Sequence, residues 1–211
     1  MTQELIIVGC GGFGREVFSL VDAAQHLRGE YIVKGFVDDD PSDADRLRVR
    51  QLGSEMLGSL NRLSEFTDTA AVIAVGSPRV RKAIENRTSH LRFRWATLVH
   101  PTATVGLNVR LGEGTIVAAG ARLSTNINVG AHVQLDTNVT IGHDCDIASF
   151  ARVNPGACVS GSVEIGQGAL IGANATVLQC LRVGSAAVVG AAACVVADVV
   201  PGTTVKGVPA R

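Results

Sequence analysis

Counting from Val99 in steps of six, each position reached as far as Val195 is Val, Leu or Ile. The row runs Val99, Val105, Leu111, Val117, Leu123, Val129, Leu135, Ile141, Ile147, Val153, Val159, Ile165, Ile171, Val177, Val183, Val189, Val195. An α-helix repeats near 3.6 residues and a strand repeats at 2, so neither sustains this pattern. A coil with three flat faces, each consuming six residues, does. The sequence therefore predicts a parallel β-helix of hexapeptide repeats, its periodic aliphatic side chains pointing inward. Small residues recur two positions earlier (Ala121, Ala151, Ala157, Ala169, Ala175, Ala187, Ala193), where flats meet at a corner. Glycines often follow the aliphatic residue (Gly106, Gly112, Gly130, Gly142, Gly166, Gly172, Gly184, Gly190), and the expectation is that they serve turns with special backbone angles. The phase breaks after Val195, and Pro201-Gly202 with Pro209 ends the prism.

Ahead of this row the pattern is different. Leu5-Ile6-Ile7-Val8 reads as a buried strand, and Arg15 to Val21 as a helix. Between them Gly9, Gly11 and Gly14 fit G-x-G-x-x-G in the strand-turn-helix setting, with Gly12 inside the same turn. Small residues there let the backbone approach a phosphate while free helix N–H groups face the anion. A second strand over Tyr31–Val37 ends in Asp38-Asp39-Asp40, placed to accept sugar or ribose hydroxyls. A third, 71–75, leads through Gly76-Ser77-Pro78 into a helix over 79–87. Only three or four such units fit before Val99, too few for a full dinucleotide domain. The half reads as a small Rossmann-like nucleotide domain, and no dehydrogenase catalytic domain follows to argue for NAD.

The 211 residues carry 19 Lys+Arg against 19 Asp+Glu, so no basic excess exists to hold a nucleic-acid backbone. The apolar runs are short and interrupted, which argues against a membrane span. Glu4 follows the start closely and no secretory signal is visible. Five cysteines without CxxC spacing point to thiols in a reducing cytosol, so the expected location is cytoplasmic and no metal is expected.

Taken together, IIVGCGGFGREV, FVDDDP, the hexad row, IGHDCDI, NPGACVSGSVEIG and VPGTTVKGVPAR resemble, in order and across essentially the whole chain, the NeuD-like sugar O- and N-acyltransferases. The resemblance implies a Rossmann-like sugar-nucleotide-binding domain over 1–95. It implies a left-handed β-helix acyltransferase domain with a C-terminal tail over 96–211. It also implies a homotrimer with active sites between protomers, acetyl-CoA as acyl donor and a nucleotide-linked amino sugar as acceptor.

Site residues follow on the same footing. His143 lies two positions after inward Ile141, facing out near a corner, and an imidazole suits removal of a proton from an attacking amine or hydroxyl. The resemblance makes His143 the general base and Asp144 the acid that orients it, which requires the corner to bring two consecutive side chains together. Gly161 lies one coil of three hexads beyond His143, where the family offers a backbone N–H to the thioester oxyanion and thereby contacts the donor. Asp136 corresponds to a polar residue that reaches substrate from a neighbouring protomer. The family's second histidine, which helps hold the acyl-CoA, is replaced by Arg152, a cofactor contact that donates hydrogen bonds but cannot accept one. Asn174, Ala192 and Lys206 are the further cofactor contacts implied, and Gly9, Gly11, Gly12, Gly14, Asp38 and Asp39 the nucleotide contacts. His100 and His132 have no matching role. The expected reaction is N-acetylation of the sugar amine. Hydroxyl acceptors such as sialic acid, other acyl donors, and a non-catalytic scaffold are the alternatives. A nucleotidyltransferase needs a much longer N-terminal domain.

Overall fold

The computed structural model describes residues 2–66, 68–91 and 94–211, and the chain divides into two compact units, 1–101 and 102–211. In the first, β1 (Gln3–Val8), α1 (Gly12–Arg28), β2 (Tyr31–Val37), α2 (Asp43–Gln51), β3 (Met56–Gly58), a 3-10 turn (Leu60–Glu65), β4 (Ala70–Ile73) and α3 (Pro78–Thr88) follow one another. The strands form one parallel sheet in the order β3-β2-β1-β4. This is half of a dinucleotide fold, with the reversal of strand order beside β1. Because β1 is interior and covered on both faces, its last four residues are all apolar and at most 1% exposed. Helix ends are set locally. Gly29 at φ 62 closes α1, while Ser42 and Ser77 accept from the Asp45 and Val80 amides at the starts of α2 and α3. The sequence reading did not single out α2, which buries only Val49 and so carries no apolar stripe.

The second unit is a parallel β-helix of two-residue strands on three faces. One face stacks Arg110–Leu111, Asn128–Val129, Asp146–Ile147, Glu164–Ile165 and Arg182–Val183. The other two run from Ile116–Val117 to Thr204–Val205 and from Thr104–Val105 to Cys194–Val195. Residues one coil apart pair in register, as Asn128 with Asp146 and Thr140 with Cys158. The aliphatic row points inward, and from Val117 to Val195 none of its members is more than 5% exposed. Burying each such side chain is worth about 1.5–3 kcal/mol. After Val195 the count shortens: Val188 pairs with Thr204 and Val189 with Val205.

The expectation for the glycines that follow the row is corrected. Gly142, Gly130 and their equivalents do not occupy left-handed angles. They are small because coils touch there: a Cβ on Gly142 would lie 2.6 Å from Gly161 N, and one on Gly130 2.5 Å from Ser149 N. The left-handed residue comes two positions later. It is Asn126, His132, Asn138, Asp144 and Phe150 on successive corners, with φ between 54 and 63.

Candidate active site

The chain leaves its flat at Gly142, turns through His143 and takes φ 60 at Asp144. That left-handed step swings two consecutive side chains together, and His143 Nδ1 lies 2.7 Å from Asp144 Oδ2. An ionised carboxylate only accepts, so Nδ1 carries the hydrogen, and in the neutral ring the lone pair is on Nε2. The His143 contact, followed by the Asn126 amide, holds the Asp144 carboxyl below its usual range. Both side chains are more than half exposed in the single chain.

Gly161 stands where the count places it, under the imidazole. A Cβ there would sit 2.6 Å from both Cε1 and Nε2 of His143. The coils are tied at this corner by Ser162 N donating to His143 O (2.8 Å) and Cys180 N to Gly161 O (3.1 Å). The Gly161 N–H donates to no protein acceptor among the described residues. The corner thus offers a proton acceptor and a free amide donor one coil apart.

Other residues expected at the site have local partners. Asp136 is 3% exposed, and its Oδ2 accepts from Nε (3.0 Å) and Nη2 (2.8 Å) of Arg152. Gln134 and Arg152 are paired rungs, which places the arginine within reach of the residue after Leu135. Asn174 is left-handed, and its Oδ1 occupies the space a Cβ on Gly156 would need. Ala192 is left-handed too. Lys206 exchanges backbone hydrogen bonds with Arg211 (3.0 and 3.1 Å), folding the tail back while its side chain stays exposed.

In the first unit a cavity of about 320 Å³ lies beyond the carboxyl ends of β1 and β2, bounded by Gly9, Asp38, Asp39, Leu60, Val75 and Arg87. Ligands of open α/β sheets bind at such a place. The four turn glycines divide by cause. Gly9 has φ 105 and its Cβ would lie 2.8 Å from Val75 Cγ2, while a Cβ on Gly14 would be 2.0 Å from Gly9 O. Gly11 and Gly12 face open space or the tip of a flexible side chain, so their smallness leaves room at the start of α1. Asp38 braces this turn, accepting from Cys10 N (2.9 Å) and Asp40 N (3.1 Å). Asp39 accepts from Leu60 N (2.9 Å) and pairs with Arg87. Burial disfavours its charge, but the Leu60 amide and the guanidinium outweigh that and hold its carboxyl below the usual range. Burial, reinforced by Asp38, pushes the Cys10 thiol up to about 12, so it stays protonated.

Sequence reasoning missed Arg81, Arg87 and Asn126. Arg81 is fully buried and donates to the carbonyls of Val75 and Gly76, both at 3.0 Å, fixing the loop after β4. Arg87 shares a helical face with Val80 and Ile84, a pattern that a nucleotide-domain reading of α3 makes visible. Asn126 lies one coil before Asp144 and was reachable by the same count that led to Gly161. Among the described residues, no cluster of His, Cys, Asp and Glu is placed to hold a metal ion, and no helix is long and apolar enough to cross a membrane.

A family model described as the PglD N-terminal domain matches residues 4–88. The acetyltransferase domain of PglB from Neisseria gonorrhoeae FA1090 is 31% identical, the match covering 100% of this chain and 99% of that one with a TM-score of 0.86. PerB from Caulobacter crescentus, solved with CoA and GDP-perosamine, is 28% identical over 100% of this chain and 97% of its own, with a TM-score of 0.89. The UDP-N-acetylbacillosamine N-acetyltransferase of Bacillus subtilis (strain 168) is 30% identical over 124 residues, 56% of this chain and 52% of that relative. A match that runs end to end through both units at this identity reflects descent rather than shared architecture alone, and the chain belongs to the NeuD-like family of sugar O- and N-acyltransferases.

Proposed function

We propose that the protein transfers the acetyl group of acetyl-CoA to the amine of a nucleotide-linked amino sugar. The observation that carries this reading is the His143 corner: an imidazole with Nδ1 committed to Asp144, Nε2 without a protein partner among the described residues, and the Gly161 amide one coil away. The amine nitrogen attacks the thioester carbonyl carbon as His143 Nε2 takes its proton. The Gly161 N–H donates to the oxygen on which charge develops, a type of contact worth about 3–4 kcal/mol. The C–S bond then breaks, and the proton passes from His143 to the departing thiolate. Asp144 stabilises the imidazolium in between.

The cavity beside Gly9 and Asp38 holds the nucleotide in this reading, with the open side of Gly11 and Gly12 at the phosphates. Relatives solved with CoA, acetyl coenzyme A and GDP-perosamine support both substrate classes. Arg152 and Asp136 act as a pair that shapes the site, Asn174 and Ala192 line the path of the donor, and Lys206 offers its exposed charge to a CoA phosphate. The functional assembly is a homotrimer that uses the prism edge bearing His143, where Leu107, Leu178 and Val196 are exposed. A compartment holding both acetyl-CoA and nucleotide sugars, the cytoplasm, is the place of work.

The test offers acetyl-CoA with UDP-, dTDP- and GDP-linked amino sugars and with free sialic acid, reading products by mass spectrometry. One nucleotide sugar should gain an acetyl group, and His143→Ala should lower kcat by about 10²- to 10⁴-fold. Transfer only to sialic acid would replace the amine by a hydroxyl. Transfer to none, without acetyl-CoA binding, would remove the catalytic reading.

A further inference from the structure

The left-handed residues on the edge bearing His143 form a column one coil apart: Asn108, Asn126, Asp144, Ser162 and Cys180, with φ between 56 and 60. Three of them are joined side chain to side chain. Asn108 Nδ2 donates to Asn126 Oδ1 at 3.1 Å, and Asn126 Nδ2 donates to Asp144 Oδ1 at 3.1 Å. The carboxylate's other oxygen, Oδ2, takes His143 Nδ1. We infer that Asn126 is a positioning residue that fixes the Asp144 carboxylate so that Nδ1 of His143 stays protonated and Nε2 stays open. The inference rests on His143 being the base of the proposed transfer.

The direction of the chain follows from its end. An ionised carboxylate has no hydrogen to give, so Asn126 must turn its NH2 toward Asp144. Its carbonyl oxygen is thereby aimed at Asn108, which must offer an NH2 in turn. Flipping either amide sets like groups face to face, so the orientation of both is dictated by chemistry. At the other end the remaining carboxylate oxygen can only accept, and the imidazole must answer with Nδ1–H.

Holding at one point does not suffice here. The Asp144 side chain is 51% exposed, and an exposed ionic contact alone is weak. Held by a single bond to the imidazole, the carboxylate is free to rotate into water. The imidazole then loses the partner that selects its tautomer. A second bond at Oδ1 closes that rotation. Left-handed backbone alone does not explain the asparagines. Ser162 and Cys180 hold the same conformation on the same column without an amide, and asparagine occupies the two rungs that lead to Asp144.

Asn126→Gly removes the amide while suiting the left-handed backbone, so the corner keeps its fold. In the free wild-type protein, nitrogen NMR of His143 should show the Nδ1–H tautomer, and in Asn126→Gly a shift toward Nε2–H. With the acceptor that the panel identifies, kcat should fall about 5- to 20-fold with both KM values within about twofold. Asn108→Gly, one link further away, should change kcat by about twofold. A tautomer in Asn126→Gly identical to wild type overturns the inference, as does a raised KM with unchanged kcat. The NMR comparison needs no substrate. Should wild type acetylate nothing and bind no acetyl-CoA, the acyltransfer reading fails on its own while the tautomer still decides what Asn126 does.

Discussion

Gly161 is asked to do two things by its position one coil from His143. Its amide donates to no protein acceptor among the described residues, and its missing side chain is the seat of the imidazole, which a Cβ would meet at 2.6 Å. Its backbone is not left-handed, so alanine is tolerated by the main chain and excluded only by the ring. Gly161→Ala therefore separates the two roles, keeping the N–H and pushing the His143 ring aside. Displacing a reacting group by about 1 Å costs on the order of 10²-fold, and kcat should fall by that much with the far-UV circular dichroism and melting temperature unchanged. A kcat within about twofold of wild type would show that the ring has another resting place.

At the scale of the coil, each hexad contains one left-handed residue, and many contain another kept small, for unrelated reasons. Ala186 is left-handed at φ 55 and exposed, whereas its neighbour Ala187 is fully buried at an ordinary angle. The same substitution should then act in opposite directions. Ala186→Gly should stabilise by about 0.5–1 kcal/mol, because an L side chain is strained there, and Ala187→Gly should destabilise by about 1 kcal/mol. Thermal melts of the two variants check the pair; a shift of the same sign in both would contradict it. This distinction also marks what could be read in advance. The aliphatic row from Val117 to Val195 was legible because strict period fixes which side chains face inward. The reason for Gly142 was not, because composition shows where small residues recur and not whether angle or contact demands them. The pairing of Asp136 with Arg152 needs the rung register, and separation along the chain does not display it. The column through Asn126 needed only the count of hexads, carried backward from Asp144 instead of forward to Gly161.

For the molecule as a whole, the edge that carries His143 also carries exposed aliphatic side chains, with Leu107 81% exposed. Single exposed residues are ordinary, but the homotrimer proposed above would bury them on this edge. On the homotrimer proposed above, Leu107→Arg should shift the protein toward monomer in light scattering, and activity should fall with it while each chain keeps its secondary structure. A variant that stays trimeric would move the contact to another face. The edge has a further property. Each coil rests on the one before it, and Ser162 N meets His143 O because a fixed number of residues lies between them. The spacing between the His143 ring and the Gly161 amide is thus stored in the length of the chain, as a tally of three hexads, rather than in any bulky core. Losing one residue between His143 and Gly161 would rotate every later rung out of phase, whereas duplicating a complete coil elsewhere would leave that spacing intact. Such a chain can lengthen in whole turns without relearning its chemistry.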